Sequence, residues 1–193
     1  MDGDQNAHQI VDLGLSVLES EADSIKDITG VMPYLAPELL SGRGSYSQAT
    51  DVYAFGIIMW EISSRERPFH DIVHDKYLAL RILKGLRPEI TKETPPFYQD
   101  LMQKCWHSDP TQRPTAKEIF DLTEMWYGDP TQEIKDQINN ANEIHEKNME
   151  IKKETKKSHP GAIYTSRLLT NITKGKKLYY YYDFEKSISN SFF

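Results

Sequence analysis

The chain has 193 residues, 38% of them hydrophobic and 27% charged, with a mean hydropathy of −0.62 and a formal net charge of −6. That suffices for one ordinary domain with a polar extension and tail, and the acidic balance excludes a body built to hold nucleic acid. Charge is uneven, because residues 147–177 carry nine Lys or Arg against two Glu, so a basic stretch, read as a solvated segment, follows an acidic body.

In chain order, Gln9-Ile10-Val11 reads as a short strand leading into Asp12-Leu13-Gly14. Residues 15–35 have no clear periodicity and read as a long surface loop, a length that is usually functional or disordered. Gln48–Ser63 predicts a helix that is apolar nearly all round, which belongs inside a bundle, with Ser47 as its N-cap. A second helix is expected over Asp75–Lys84, stopped by Gly85 and Pro88. Phe97, Leu101, Met102, Cys105 and Trp106 mark one face of a third helix, opened by Pro96 and ended by Asp109-Pro110. Thr115-x-x-Glu118 is a capping box that starts a fourth helix through Ile119, Leu122 and Trp126. His70-Asp71 and His74-Asp75 read as polar loop residues, with Asp75 as a cap. From Gln132 to Lys157 the pattern predicts a marginal charged helix extending from the body. Residues 158–193, which include four consecutive tyrosines, read as a disordered tail.

The lone Cys105 rules out an internal disulfide and fits a reducing, intracellular setting, with the cytoplasm as the expected compartment. The first residues have no basic, apolar pattern of a signal peptide. The longest apolar stretch, Val52–Ile62, is shorter than the roughly 20 residues a membrane span needs.

Four strings in this order carry more information than any one of them. They are Asp12-Leu13-Gly14, Gly30-Val31-Met32-Pro33-Tyr34-Leu35-Ala36-Pro37-Glu38, Asp51-Val52-Tyr53-Ala54-Phe55-Gly56, and Cys105-Trp106-x-x-x-Pro110-x-x-Arg113-Pro114. Together they resemble the helical lobe of a eukaryotic protein kinase, nearest to tyrosine kinases and the tyrosine-kinase-like serine/threonine group. The resemblance runs from Ile10 to about Trp126. It implies a mainly α fold, the helical C-lobe without the β-rich N-lobe. A partial kinase domain is then expected over 1–127, a charged helical extension over 128–157 and the tail over 158–193.

The resemblance also implies roles. Asp12, beside Gly14, is similar to the carboxylate that holds the Mg²⁺ bridging the ATP phosphates, and hard oxygen ligation suits that cation. Glu38 and Arg113 are implied to pair, since a guanidinium binds a carboxylate with two parallel hydrogen bonds. Asp51 is implied to accept hydrogen bonds from the catalytic-loop backbone, while first-turn helix capping also accounts for an Asp there. Ser16, Ser20, Ser24 and Thr29 are candidate phosphosites in the loop, where a phosphate adds about −1.5 to −2 charges. Val31 replaces the Thr of many serine/threonine kinases, and Leu13 the usual Phe.

The sequence carries no Gly-x-Gly-x-x-Gly and no His-Arg-Asp ahead of Asp12. No catalytic residue is therefore assigned. One carboxylate alone would hold Mg²⁺–ATP weakly, so the expectation is a partial kinase domain without activity of its own, as in a truncated gene or fragment. The parent activity would be phosphorylation of protein Ser/Thr, ahead of Tyr. The alternatives are a non-catalytic helical module that binds proteins through faces around residues 75–106, or a truncated remnant. A protein substrate or partner is expected, and neither nucleic acid nor a membrane span.

Overall fold

Helix α2 (Gln48–Ser64) is the element around which the others assemble. The computed structural model describes residues 16, 21–22, 27–149 and 157–169. The Ser47 hydroxyl accepts from the Thr50 N–H, and the Thr50 hydroxyl accepts from the Ser47 N–H. This satisfies two groups that any helix start leaves unpaired.

Val52, Tyr53, Ile57, Met59 and Trp60 bury one side of α2 against Leu101, Met102 and Cys105 of α4 (Pro96–Cys105). Gly56 permits the close approach. A Cβ there would lie 2.8 Å from the Cys105 Cβ and 3.0 Å from the Trp106 backbone nitrogen. Helix α5 (Ala116–Gly128) starts at the Thr115–Glu118 capping box and lays Ile119, Leu122 and Trp126 on the same cluster.

A second cluster joins the loop before α2 to α3 (Lys76–Leu83). Ile28, Met32 and Leu35, with Leu39 and Leu40 of the short helix α1 (Pro37–Leu40), pack on Leu78, Ala79 and Ile82. The Asp75 carboxylate caps α3 by accepting from the N–H groups of Tyr77 and Leu78. Gly85, at φ 97°, follows the helix end in a conformation that only glycine adopts freely. The described chain is thus mainly α, and all four predicted body helices form: α2 and α3 within a residue of their expected limits, α4 ending at Cys105 ahead of Asp109-Pro110, and α5 running on to Gly128.

The structure departs from the sequence reading at five places. The loop is not all surface. Thr29–Gly30 forms strand β1, Met32–Tyr34 a 3₁₀ turn, and Ile28 and Met32 are buried. Helix α2 is not covered all round, as Phe55, Ile58 and Ile62 are exposed along one side.

Helix α6 (Gln132–Met149) does not project from the body. It buries Ile134 and Ala141. Gln137 Oε1 accepts the Phe97 N–H at 2.9 Å, and both His145 and Asn148 reach the Glu93 carboxylate. Too few apolar residues dock for periodicity to reveal this, and polar contacts complete the interface.

Residues 158–169, expected as part of the disordered tail, return to the body. Arg167–Leu168 forms strand β2, antiparallel to β1, with Thr29 opposite Leu168 and Gly30 opposite Arg167. Leu169 is fully buried in the second cluster. A single buried leucine in a dozen residues leaves no periodic signal. His74 is likewise no ordinary loop residue, since it is 2% exposed and lies under this returning segment.

Candidate functional site

The 3₁₀ turn Pro110–Gln112 is capped by Asp109, whose carboxylate accepts from the Thr111 N–H and hydroxyl. Those hydrogen bonds pull the Asp109 carboxyl below its ordinary range. The turn delivers Arg113 into the body, where its side chain has no solvent exposure. Its Nη1 donates to Glu38 Oε1 at 2.6 Å and to the Ala49 carbonyl at 2.8 Å. Its Nη2 donates to Glu38 Oε2 at 2.8 Å, and its Nε to the His107 carbonyl at 2.9 Å. Burying a guanidinium is costly unless its donors are paired in this way.

Arg113 therefore ties together the start of α1, the first turn of α2 and the α4–α5 connection. The sequence singled out Glu38 but gave no sign of the two carbonyls, because backbone acceptors have no residue code. Tyr53 lies beneath, with the guanidinium carbons of Arg87 and Arg113 5.0 and 5.2 Å from its ring centre. Burial pushes the Tyr53 phenol up to about 12. Arg87 was also missed. Its Nε donates to the Trp106 carbonyl at 2.9 Å and its Nη1 to the Ile82 carbonyl at 3.1 Å, stitching the end of α3 to the end of α4.

The loop between β1 and α1 is held at a second point. The Tyr34 hydroxyl donates to the Glu61 carboxylate of α2. Burial, reinforced by the Glu61 carboxylate, pushes the Tyr34 phenol well above its ordinary value.

Asp51 lies on a different side of α2. It is exposed and shares the uncovered face with Phe55, Ile58 and Ile62, at helical spacings of four, three and four residues. Among the described residues no donor reaches its carboxylate. Desolvation by its surroundings raises its pKa above the ordinary Asp value.

Of the candidate phosphosites, Ser16 is exposed. Thr29 is half-buried in β1, where the Tyr46 hydroxyl accepts from its N–H at 3.1 Å and donates to its carbonyl at 3.0 Å. Asp12, Gly14, Ser20 and Ser24 lie outside the described residues. Among the described residues no group of three or more His, Cys, Asp or Glu is placed to hold a metal ion. No helix among them is long and apolar enough to cross a membrane.

Comparison with known proteins gives this geometry a lineage. Residues 3–122 match the family model for protein tyrosine and serine/threonine kinase. The chain is 41% identical over 115 residues to a probable serine/threonine-protein kinase of Dictyostelium discoideum, covering 59% of this chain and 12% of that protein. It is 36% identical over 125 residues to cyclic GMP-binding protein C of the same organism, covering 63% of this chain and 5% of that protein. It is 32% identical over 114 residues to a serine/threonine-protein kinase of Arabidopsis thaliana, covering 59% of this chain and 20% of that protein. The chain thus spans a fifth or less of the length of these relatives. The matched region contains both Glu38 and Arg113. This chain belongs to the protein tyrosine and serine/threonine kinase family.

Proposed function

We propose that this chain supplies the substrate-side helical lobe of a protein kinase whose parent activity is ATP-dependent phosphorylation of protein Ser or Thr, ahead of Tyr. The observation that carries this reading is the Glu38–Arg113 lock, which fixes the 28–38 loop against the helical body. Kinase chemistry depends mainly on positioning and electrostatics, so a rigidly held loop is the contribution such a lobe can make. Glu38 and Arg113 are structural in this reading.

Asp51 and the Phe55–Ile58–Ile62 stripe form the seat for the segment that bears the catalytic loop. The carboxylate accepts from that segment's backbone, and the stripe is covered by its apolar side. Asp12, beside Gly14, holds the metal of Mg²⁺–ATP. Alone the chain transfers no phosphate, because it carries neither a Gly-rich loop nor a His-Arg-Asp string. Ser16 is an accessible regulatory phosphosite and Ser20 and Ser24 are further candidates by sequence, whereas Thr29 must leave β1 before a kinase can reach it.

The test is a chimera in which the Gly-rich loop, strand lysine and catalytic loop of the Arabidopsis relative precede Gln9. The expected result is phosphate transfer to a generic protein substrate, lost on Glu38→Ala. A folded chimera that binds Mg²⁺–ATP yet transfers nothing would contradict the reading. It would favour the alternative of a non-catalytic interaction module, which the exposed α2 stripe also supports, since contiguous apolar surface marks contact sites.

A further inference from the structure

Residues 157–169 follow a path that resembles a bound peptide more than a domain element. The His159 N–H donates to the His70 carbonyl at 2.7 Å, and the Gly161 carbonyl accepts from the His74 N–H at 2.9 Å. Gly161 passes so close to Val73 that a Cβ would lie 3.0 Å from its methyl carbon. His74 Nε2 lies 3.1 Å from the Phe69 carbonyl oxygen, and its Nδ1 lies 2.9 Å from the Ile163 carbonyl oxygen and 3.1 Å from the Ile163 nitrogen.

The Tyr164 ring stands edge-on to His74, with centroids 4.9 Å apart, beneath the Arg67 guanidinium, and its hydroxyl donates to the Pro68 carbonyl. Arg167 donates to the His74 carbonyl. The Leu169 N–H donates to the Ile28 carbonyl at 2.8 Å, and its side chain fills a pocket between β1 and α3.

Most of these bonds run to backbone carbonyls of the 67–74 loop and to one strand edge, with two side-chain pockets between them. That is the pattern of recognition by strand addition, where main-chain bonds hold an extended peptide and alternate pockets select it. The other edge of β1 is closed by the Tyr46 hydroxyl, which engages both the N–H and the carbonyl of Thr29. One edge is thus open to a strand, and the chain's own segment occupies it. The two-residue ladder is too short to hold by itself, and Leu169 is the one apolar side chain of the segment that is fully buried. Such an attachment is exchangeable.

We propose that the β1 edge, the His74 crevice and the Leu169 pocket form a peptide-binding groove, filled in cis by residues 159–169. Its external ligand is an extended peptide of the same chemistry, an aromatic followed three residues later by Arg and then two leucines. The strap is therefore a built-in competitor. The inference stands apart from phosphate transfer and needs no activity.

The experiment uses the full chain and a fluorescein-labelled peptide of residues 157–169. Leu169→Asp in the protein should expel the strap and make Arg167 cleavable by trypsin. The labelled wild-type peptide should then bind that variant at least tenfold more tightly than it binds the wild-type chain, and a peptide carrying the same Asp should bind neither. If Leu169→Asp does not fold, Arg167→Ala leaves the pocket filled and should give the same order with a smaller ratio. Equal binding to wild type and variant would overturn the proposal. So would a folded variant with a cleavable strap that binds no peptide.

Discussion

Arg113 grips both carboxylate oxygens of Glu38, at 2.6 and 2.8 Å, across 75 residues of sequence. Because the guanidinium is buried and the carboxylate nearly so, the pair is worth less as a source of stability than as a constraint. Its removal from one side strands a charge. Arg113→Ala leaves the partly buried Glu38 carboxylate without its guanidinium, and should cost about 3–5 kcal/mol. At several degrees per kcal/mol for a domain this size, a fall in Tm of roughly ten degrees or more is expected by calorimetry. An unchanged Tm would remove the lock from the account.

Gly56→Ala tests the contact between α2 and α4. Alanine improves helix propensity by about 1 kcal/mol. Its methyl, however, meets the Cys105 Cβ at 2.8 Å, the Trp106 nitrogen at 3.0 Å and the Met102 carbonyl oxygen at 3.2 Å. None of these can swing aside, so overpacking dominates. A net loss of about 1–2 kcal/mol is expected in urea unfolding, and a more stable variant would mean that the helices can separate freely.

Asp51→Asn should behave in the opposite way to Arg113→Ala. The Asp51 carboxyl is raised by desolvation, so its ionised form weakens the fold. Stability from this group is present when it is protonated in the native state and is lost as pH rises through the raised folded value. The wild-type chain should therefore gain on Asp51→Asn as pH falls towards the unfolded Asp value of about 3.9. At pH 7 the variant should lie within about 0.5 kcal/mol of wild type, on the stable side. A clear loss of stability at pH 7 would make Asp51 a helix-capping residue.

Cys105 should be inert in the native protein. It is fully buried, and burial pushes its thiol up to about 12, leaving almost no thiolate at pH 8. Iodoacetamide at that pH should label it only after unfolding, as read by mass spectrometry. Rapid labelling of the folded chain would show that the α2–α4 core opens readily.

The helices were legible because their cues are local. Ser47, Asp75 and Thr115 cap as expected, Gly85 follows the end of α3, and Pro96 opens α4. The Glu38–Arg113 relationship was legible only through resemblance, since nothing local links an Ala-Pro-Glu string to an Arg-Pro string. Its carbonyl partners at Ala49 and His107 had no sequence signal at all. The returning strap escaped for a related reason. Its contacts are to backbone, its aromatic and leucine anchors are singletons, and basic residues on either side suggest a solvated segment. The exposure of Phe55, Ile58 and Ile62 also could not be read from α2, because an apolar helix surface says that it is meant to be covered without saying by what.

Isothermal titration of the full chain with Mg²⁺–ATP tests the central claim most directly. A chain with neither Gly-x-Gly-x-x-Gly nor His-Arg-Asp in its sequence should show no heat of binding at micromolar concentrations. A clear micromolar isotherm with one nucleotide per chain would contradict the account.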